Sequence, residues 1–310
     1  LYKGKGSRDH PSNFRPISIT PFLAKLFEKC IFSQISEFLD ITNFYSPHQH
    51  GFRSGLSTDT ALLDIVQFIH TGFNSGCVVV GVFLDLAKAF DSIDHEILLN
   101  VLGNVGFDDA ALAWFSSYLS DRSLFVSADG LSSSTFPISH GVVQDSVLGP
   151  ALFLTYINSV LIFANSRSDK FRAVSFADDT SLLLHVRRDD DGRAADMSSL
   201  DKYLNQLATI FSALRLSVNP SKSKLVWFRP RRRALDFTPT QVFWNGVTLP
   251  PVDSVVCLGV ILDPCLSYNA HLSTLRGRLN SVVYGLHRLR RLGFPRSCLV
   301  MVYNILLSLV

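Results

Sequence analysis

Two apolar segments that adjoin carboxylates constrain the fold of this chain more than any other feature. The first segment, Val78–Leu84, runs directly into Asp85, and the second, 181–186, closely follows the pair Asp178 and Asp179. Both segments are rich in β-branched and large apolar side chains, which is typical of buried strands. A carboxylate at the end of a buried strand is costly unless a cation meets it. The pattern therefore predicts two buried strands whose ends bring carboxylates and cations together.

Three carboxylates in one place repel each other strongly at separations of a few ångströms. Divalent metal ions resolve this conflict, and two metal ions bridged by carboxylates clamp the reacting oxygens in phosphoryl transfer. The residues therefore indicate a nucleotide polymerase. Each motif alone also has a simpler interpretation, because an Asp-Asp pair between strands is usually a hairpin turn and an Asp after a strand often caps a helix. The case depends on the surrounding sequence.

Composition agrees with this interpretation without deciding it. The 310-residue chain is long enough to bury a large core in roughly one to three domains. Its net charge is only +3, so the molecule as a whole is not a strongly basic nucleic-acid binder. Arginines are instead grouped at 229–233 and 276–296. Such groups suit a phosphate backbone, although a solvated helix face explains the second group equally well.

Cysteine usage indicates a reducing compartment, and the two ends of the chain show neither an export signal nor a membrane span. The five cysteines include no CxxC pair and no closely spaced histidines that would complete a zinc site. No signal peptide is evident, and the uncharged segment 297–310 is too short for a membrane span. We expect that segment to be part of a helix, and the chain, which has no initial methionine, to be a fragment.

Periodicity predicts helices between the strands. Apolar residues recur at helical spacing in segments 21–40, 57–71, 108–119, 151–163 and 198–214. A further helix should begin near Asp94, and the acidic run 189–191 is predicted to be an exposed loop. Helices that alternate with a few strand pairs, one of them the Asp178 hairpin, indicate an α+β fold with an antiparallel sheet backed by helices.

The sequence around the carboxylates resembles a known family. Segment 83–95 resembles the first catalytic motif of reverse transcriptases from non-LTR (LINE/Jockey-like) retrotransposons, and Phe-Ala-Asp-Asp at 176–179 resembles their second. Further blocks follow the family's order: 13–18 (fingers), 49–58, 141–150 (template-side loop), 219–223 (lysine motif) and 258–263 (primer grip). The similarity covers about residues 1–290. On this basis the chain is identified as a member of that family.

The resemblance implies a right-hand polymerase. The fingers, with part of the palm, would occupy 1–76, the palm with its catalytic motifs 77–264, and the start of a truncated thumb 265–310. The implied activity is RNA-directed DNA synthesis during retrotransposon replication. The implied partners are an RNA template, a DNA primer and deoxynucleoside triphosphates, with no membrane. The implied location is a nuclear or cytoplasmic ribonucleoprotein.

The resemblance also assigns metal ligands. Asp85 and Asp178 would hold two Mg²⁺ ions, for which Mn²⁺ could substitute, with the main-chain carbonyl of Leu86 as a further ligand. Asp179 would complete the catalytic triad and the set of metal ligands, chiefly as a supporting residue.

Nucleotide-binding roles follow from the other motifs. Arg15 would engage the triphosphate bidentately, assisted by Lys3 or Lys5. Lys222 would meet the pyrophosphate or act as general acid, although a plain surface lysine in a turn is an equally good interpretation. Gln144 belongs to the loop that supports the nascent base pair.

Sugar selection and nucleic-acid contact complete the set. Phe90 would lie beneath the sugar and exclude a 2′ hydroxyl by its bulk, with an ordinary core phenylalanine as the alternative. Arg53, Arg276 and Arg278 are candidate contacts to nucleic acid.

One position departs from the family pattern. Where relatives carry Gln-Gly in the template-side loop, this chain has Gln144 followed by Asp145. Glycine suits close approach of the backbone to a ligand, or a positive φ. At about 8 Å and an effective dielectric of about 20, repulsion between the aspartate and one phosphate charge would be roughly 2 kcal/mol. We therefore hypothesise that Asp145 impairs this copy.

Three functions remain open from the sequence. The first is an RNA-directed DNA polymerase, and the second is a catalytically decayed relative that only binds nucleic acid. The third is a palm polymerase that makes RNA or copies DNA, which Phe90 and the motif spacing disfavour. The choice of template rests on the resemblance, because the palm chemistry is the same for both.

Overall fold

Helices and antiparallel strands alternate along the chain. The computed structural model describes Tyr2, Ser7, 9–10, 13–14, 17–128, 130–231 and 240–307. Its helices are α1 (Phe22–Ile41), α2 (Thr58–Asn74), α3 (His95–Val105), α4 (Asp109–Leu119), α5 (Gly149–Asn165), α6 (Asp190–Ala213), α7 (Asn269–Arg291) and α8 (Arg296–Leu307).

The strands range from a long central ribbon to two-residue pairs. They are β1 (Val78–Leu84), β2 (Leu86–Ala87), β3 (Ser123–Leu124), β4 (Ser127–Ala128), β5 (Leu131–Ser132), β6 (Phe136–Pro137), β7 (Phe171–Phe176), β8 (Asp179–Val186), β9 (Ser217–Val218), β10 (Lys224–Phe228), β11 (Phe243–Trp244), β12 (Val247–Thr248), β13 (Val255–Cys257) and β14 (Val260–Leu262).

A four-stranded sheet with the order β10-β1-β8-β7 forms the centre of the molecule. Every neighbouring pair is antiparallel. β1 therefore lies between two strands that follow it much later in the chain. Its almost continuous apolar sequence suits this place, because a strand covered on both faces has no polar side to present.

The two faces of the sheet pack against different helices. Along β1, Val80 and Val82 point into a cluster shared with α3, α4, α5 and α6, whereas Val79 points into a second cluster shared with α2 and the β13–β14 hairpin. This alternation is the two-residue period of a strand. The predicted α+β layout, with an antiparallel sheet backed by helices, is what the structure shows.

Side-chain caps explain where several helices begin. Ser57 and Thr60 form a capping box at the start of α2, since each hydroxyl accepts a hydrogen bond from the other residue's backbone N–H. Asp94 accepts from Ile97 at the start of α3, the helix that was predicted to begin near Asp94, and Asp108 accepts from Ala111 at the start of α4. Such caps satisfy N–H groups that have no partner within the helix.

The prediction of an exposed loop at 189–191 was wrong. Asp189 caps α6 by accepting from the Gly192 N–H at 2.7 Å, and Asp190 and Asp191 lie in its first turn. Acidic side chains are favourable there because the helix dipole is positive at its N-terminus. α6 therefore begins eight residues earlier than the apolar pattern predicted, at Asp190 instead of residue 198.

α7 and α8 follow β14 in the chain, and they contact each other. None of the residues of α7 is buried, and its last turn carries Arg288, Arg290 and Arg291. In the described part of the chain, no helix is both long enough and apolar enough to cross a membrane.

Candidate active site

The register of the sheet determines where the predicted catalytic carboxylates lie. Leu84 at the end of β1 lies opposite Thr180 in β8, and Phe176 lies opposite Asp179 across the β7–β8 hairpin. Ala177 and Asp178 therefore form the hairpin turn, which we call the catalytic turn, and Ala177 has a φ of 58°. Paired strands are about 4.8 Å apart, so Asp85, the residue after Leu84, lies beside this turn. The structure brings Asp85, Asp178 and Asp179 to one end of the sheet.

The exposure of these carboxylates suits an open site. Asp85 and Asp178 are partly buried, and Asp179 is exposed. Among the residues the structure describes, no group of three or more His, Cys, Asp or Glu side chains is arranged as a metal-binding cluster. An all-protein cage is therefore absent from that part of the chain. Oxygen donors at an open edge fit Mg²⁺, which keeps several waters and substrate oxygens in its octahedron.

Segment 219–223, the predicted lysine motif, adjoins Asp85. The Asp85 N–H donates to Ser223 Oγ at 3.1 Å, and the Asp85 carbonyl accepts from the Asn219 N–H at 2.8 Å. Lys222 lies in the turn of this segment and is exposed. The motif thus reaches the end of the sheet that holds Asp85, and its lysine lies on the surface.

The backbone of Leu86 is oriented by the same contact. Leu86 pairs with Val218 in the antiparallel β2–β9 ladder. Hydrogen-bonded and non-hydrogen-bonded pairs alternate in such ladders. Because the preceding carbonyl, of Asp85, already accepts from Asn219, the carbonyl of Leu86 points away from β9. That orientation is compatible with the predicted role as a metal ligand.

Phe90 and Gln144 lie on neighbouring segments. The ring of Phe90 is partly buried and stacks on Phe153 of α5, with centroids 4.6 Å apart. The Val142 N–H donates to the Phe90 carbonyl at 3.0 Å, and Gln144 Nε2 donates to Asp91 Oδ1 at 2.8 Å. The template-side loop is thereby joined to the segment that follows Asp85.

Comparison with known proteins agrees with this arrangement. Residues 3–262 match the family described as reverse transcriptase (RNA-dependent DNA polymerase). This chain belongs to the reverse transcriptase family.

Named relatives give a more specific similarity for this reverse transcriptase domain. It is 31% identical to the probable RNA-directed DNA polymerase from transposon X-element of Drosophila melanogaster, over 90% of the chain and 30% of that protein. It is 28% identical to the RNA-directed DNA polymerase from mobile element jockey of the same species, over 98% of the chain and 33% of that protein. The domain spans about a third of the length of these relatives. The prediction of a non-LTR, Jockey-like reverse transcriptase domain is confirmed.

A solved structure shares the fold. Apo telomerase from Candida tropicalis superposes with a TM-score of 0.52 at 10% sequence identity, over 79% of this domain and 40% of that chain. At this identity the similarity concerns the fold alone. The predicted reverse-transcriptase-like mixture of helices and antiparallel sheets is confirmed, whereas the division into fingers, palm and thumb stays a prediction.

Asp145, which departs from the family pattern, has a backbone conformation that suits glycine. Its φ is 65° and its side chain is exposed. Residues other than glycine, asparagine and aspartate rarely adopt this left-handed backbone conformation. A glycine would reach the same conformation without a Cβ.

The template-side loop is held by a glutamate that the sequence motifs did not reveal. Glu28 of α1 is 3% exposed. It accepts hydrogen bonds from the Val147 N–H at 2.8 Å and from the Tyr118 hydroxyl at 2.9 Å. Burial, with the negative charge of Glu28, raises the pKa of Tyr118 far above its usual value, so the phenol remains a donor. The signal in the sequence was a single acidic residue within the apolar face of a predicted helix.

The β13–β14 hairpin, the predicted primer-grip region, comes close to Asp179. A small pocket between this hairpin and β8 is lined by residues that include Asp179, Thr180, Cys257 and Leu258. Burial raises the pKa of Cys257 to about 11, so its thiol is protonated at neutral pH. The hairpin turn holds Leu258 at a φ of 49°, which is unusual for a large side chain.

The predicted cationic residues lie in different environments. Arg53 is partly buried, donates to the carbonyls of Ser46 and Gln49, and stacks on Tyr45. Arg276 and Arg278 are exposed on α7. Arg15, Lys3 and Lys5 lie outside the described residues.

Proposed function

We propose that this domain adds deoxynucleotides to the 3′ end of a DNA primer on an RNA template, during replication of a non-LTR retrotransposon. The observation that carries the proposal is the sheet register, which sets Asp85 beside the turn that holds Asp178. Membership of the reverse transcriptase family supports the choice of an RNA template, because the carboxylates alone would serve either template.

The proposed cofactor is Mg²⁺, bound as two ions, with Mn²⁺ as a possible substitute. Asp85, Asp178 and Asp179 would supply carboxylate oxygens, and Leu86 its carbonyl oxygen. When bound, the metal ions would activate the 3′ hydroxyl of the primer and neutralise charge on the triphosphate and the leaving pyrophosphate.

The other residues would position the substrates. Phe90, fixed by its stack on Phe153, would present a ring edge beneath the sugar. Gln144, fixed by Asp91, would support the nascent base pair. Arg15 would hold the triphosphate, and Lys222 the pyrophosphate.

Nucleic-acid contact is proposed for the C-terminal helices. The exposed Arg276 and Arg278 would contact the phosphate backbone of the primer–template duplex, with Arg53 as a further candidate. A solvated helix face is the alternative for α7. As part of a retrotransposon ribonucleoprotein, the protein would act in the nucleus or cytoplasm.

A second candidate function is supported by Asp145. A decayed reverse transcriptase that only binds nucleic acid would keep the fold and lose turnover. The aspartate places a negative charge where an incoming triphosphate must approach, on the loop whose Gln144 supports the base pair. The described catalytic carboxylates are intact, which favours the active enzyme.

Primer extension distinguishes these functions. The protein is incubated with Mg²⁺, dTTP and an oligo(dT) primer on poly(rA) or poly(dA), beside Asp178→Ala and a matched variant at the exposed surface, Asp169→Ala. We expect extension on poly(rA) by the wild type and by Asp169→Ala, and none by Asp178→Ala. Primer–template binding without extension by the wild type would favour the decayed protein, and extension on poly(dA) alone would contradict the RNA template.

A further inference from the structure

The segment 48–51 runs beside the free edge of β7 and ends at the catalytic turn. The Ser175 N–H donates to the His48 carbonyl at 2.9 Å, and the His50 N–H donates to the Ser175 carbonyl at 2.8 Å. These bonds pair Gln49 with Ser175 in a parallel bridge. The segment therefore follows the hairpin that carries Asp178 as far as its turn.

The side chain of Gln49 reaches the catalytic turn itself. Gln49 is 1% exposed, and its Oε1 accepts from the Ala177 N–H at 3.1 Å and from the Gly51 N–H at 2.9 Å. Two N–H donors facing one atom identify that atom as the amide oxygen and not the nitrogen. Ala177 directly precedes Asp178. One side-chain oxygen thus ties the backbone of segment 48–51 to the backbone of the turn.

The Nε2 group of Gln49 has no hydrogen-bond partner among the described residues. The side chain consequently acts on the catalytic turn through its oxygen alone. A variant that keeps an acceptor oxygen and one that lacks it should therefore behave differently, which gives the inference a direct test.

Gly51 also packs closely against the backbone of the same turn. A Cβ on Gly51 would lie 2.3 Å from the Ala177 nitrogen and 3.0 Å from the Ala177 Cα. Both neighbouring atoms are backbone atoms, which cannot rotate away as a flexible side chain would. Any side chain at position 51 would displace the catalytic turn.

A charged cluster behind the segment keeps it in place. His48 Nδ1 lies 2.6 Å from Asp64 Oδ2 of α2, and Arg172 of β7 donates to Asp64 Oδ1 at 3.2 Å. His50 Nδ1 is 2.9 Å from the Thr60 hydroxyl, also on α2. The segment is thus attached to both α2 and β7, so it can hold the turn against the sheet.

We propose that Gln49 and Gly51 are positioning residues for Asp178. Ala177 is held at a φ of 58°, a conformation that a non-glycine residue keeps only when its surroundings impose it. The hydrogen bond from Ala177 to Gln49 and the close packing of Gly51 impose it here. The turn then holds the Asp178 carboxylate where Asp85 can share a metal ion with it. The inference rests on the proposed function.

The test compares four variants with the wild type. Gln49→Met removes the acceptor while keeping the length of the side chain, Gln49→Glu keeps an acceptor oxygen, and Gly51→Ala adds the Cβ. Gln67→Met, at an exposed position of α2, is the matched control. Hydrogen exchange of the Ala177 amide, Mn²⁺ affinity of the nucleic-acid-free protein, and the kcat and KM of primer extension are measured well below the unfolding midpoint of each variant.

We expect Gln49→Met to exchange the Ala177 amide about tenfold faster, the effect of one lost hydrogen bond. We also expect it to bind Mn²⁺ several-fold more weakly and to lose kcat, with little change in KM for primer–template. Gly51→Ala should change metal affinity and kcat in the same direction. Gln49→Glu should recover part of the Ala177 protection, and Gln67→Met should match the wild type.

Two results would overturn the inference. One is wild-type exchange at Ala177 in Gln49→Met, and the other is wild-type Mn²⁺ affinity and kcat in both Gln49→Met and Gly51→Ala. A wild type that binds Mn²⁺ but extends no primer would refute the proposed function only, and exchange and Mn²⁺ affinity would still decide the inference.

Discussion

Asp145 combines two changes relative to glycine: a Cβ at a φ of 65° and a negative charge on an exposed loop residue. The charge should dominate the kinetics because aspartate tolerates the left-handed conformation better than most residues do. Stability should change little on replacement by glycine, since relief of backbone strain is offset by the greater freedom of glycine in the unfolded chain, about 0.5–1 kcal/mol.

We therefore predict that Asp145→Gly lowers the KM for deoxynucleotides several-fold in primer extension. Solvent screening at the exposed position reduces the effect below the unscreened estimate. Asp145→Asn separates the two causes, because it removes the charge and leaves the Cβ. Equal improvement in both variants identifies charge as the cause, and improvement in glycine alone identifies the backbone. Equal kinetics for all three proteins would show that Asp145 is harmless.

Phe90 offers a second test at the scale of one side chain. Its ring is fixed against Phe153, so removing it should open space without drawing another ring into place. We predict that Phe90→Ala raises incorporation of ribonucleotides, measured as the ratio of kcat/KM values for a deoxynucleotide and its ribonucleotide. The ratio is insensitive to a general loss of folded protein. Phe90→Tyr keeps the ring and should keep the selectivity, and an unchanged ratio in Phe90→Ala would rule out the steric role.

At the scale of elements, Glu28 joins α1 to the loop that precedes α5. Glu28→Leu would leave the Val147 N–H and the Tyr118 hydroxyl without their acceptor. We predict a loss of about 2–3 kcal/mol in the free energy of unfolding, because the two groups are only partly buried and each should cost near the lower end of the range of about 1–3 kcal/mol for an unpaired buried group. Urea denaturation measures the change. Glu37→Leu, at an exposed position of the same helix, should stay within about 0.5 kcal/mol of the wild type, and equal losses in the two variants would contradict the role of Glu28.

The helices were predictable wherever apolar spacing and caps agreed. Segment 57–71 was predicted as a helix, and α2 begins at Thr58 because Ser57 and Thr60 cap each other. α6 shows the limit of this reasoning, since its first turns carry acidic residues instead of an apolar stripe. Asp189 was visible as a possible cap, but a run of charges without apolar partners resembles a solvated loop.

That Asp85, Asp178 and Asp179 lie at one end of the sheet was predictable because buried strands seldom end in charge, whereas their catalytic role stays a prediction. The residues that support them were not predictable. Glu28 and Gln49 both accept hydrogen bonds from backbone N–H groups far away in sequence. Because every residue type except proline has a backbone N–H, such a partner cannot be recognised from the sequence. Gln49 lay within a block that resembles the family, but only the structure shows that its amide oxygen meets Ala177.

Across the whole molecule, Asp196 links α6 to the open end of the β7–β8 hairpin, away from its turn. It accepts from Lys170 Nζ, just before β7, at 2.9 Å and from Arg187 Nε, just after β8, at 3.0 Å. Burial alone would raise the pKa of Asp196, but hydrogen bonds from Arg187 and Lys170 outweigh burial and hold that pKa below its usual value of 3.8. A carboxyl whose folded pKa is depressed stabilises the fold above its unfolded pKa and loses that contribution as the pH falls through the folded value.

We predict that Asp196→Asn lowers the free energy of unfolding by about 1 kcal/mol at pH 7, the order of one charge-assisted bond, because Asp196 is buried but its partners Lys170 and Arg187 are about half exposed to solvent. The difference from the wild type should shrink below about pH 4, where the wild-type carboxyl begins to protonate. Denaturant melts at several pH values measure it, with Asp169→Asn at the exposed surface as control. A difference that stays constant down to pH 2 would contradict the assignment.

The strand order also determines how late in translation the end of the sheet that holds Asp85 and Asp178 can form. β1 is flanked by strands that are synthesised long after it. The Asp85 N–H donates to Ser223, which lies 138 positions later in the chain. At about 5–20 residues per second, that interval lasts roughly 7–28 s. Throughout it the edge of the apolar strand β1 that pairs with β10 has no partner, and until β8 is synthesised both edges are unpaired. Unpaired edges invite association with other chains. Slower translation between residues 85 and 223 should therefore lower the soluble yield far more than the same delay after residue 228.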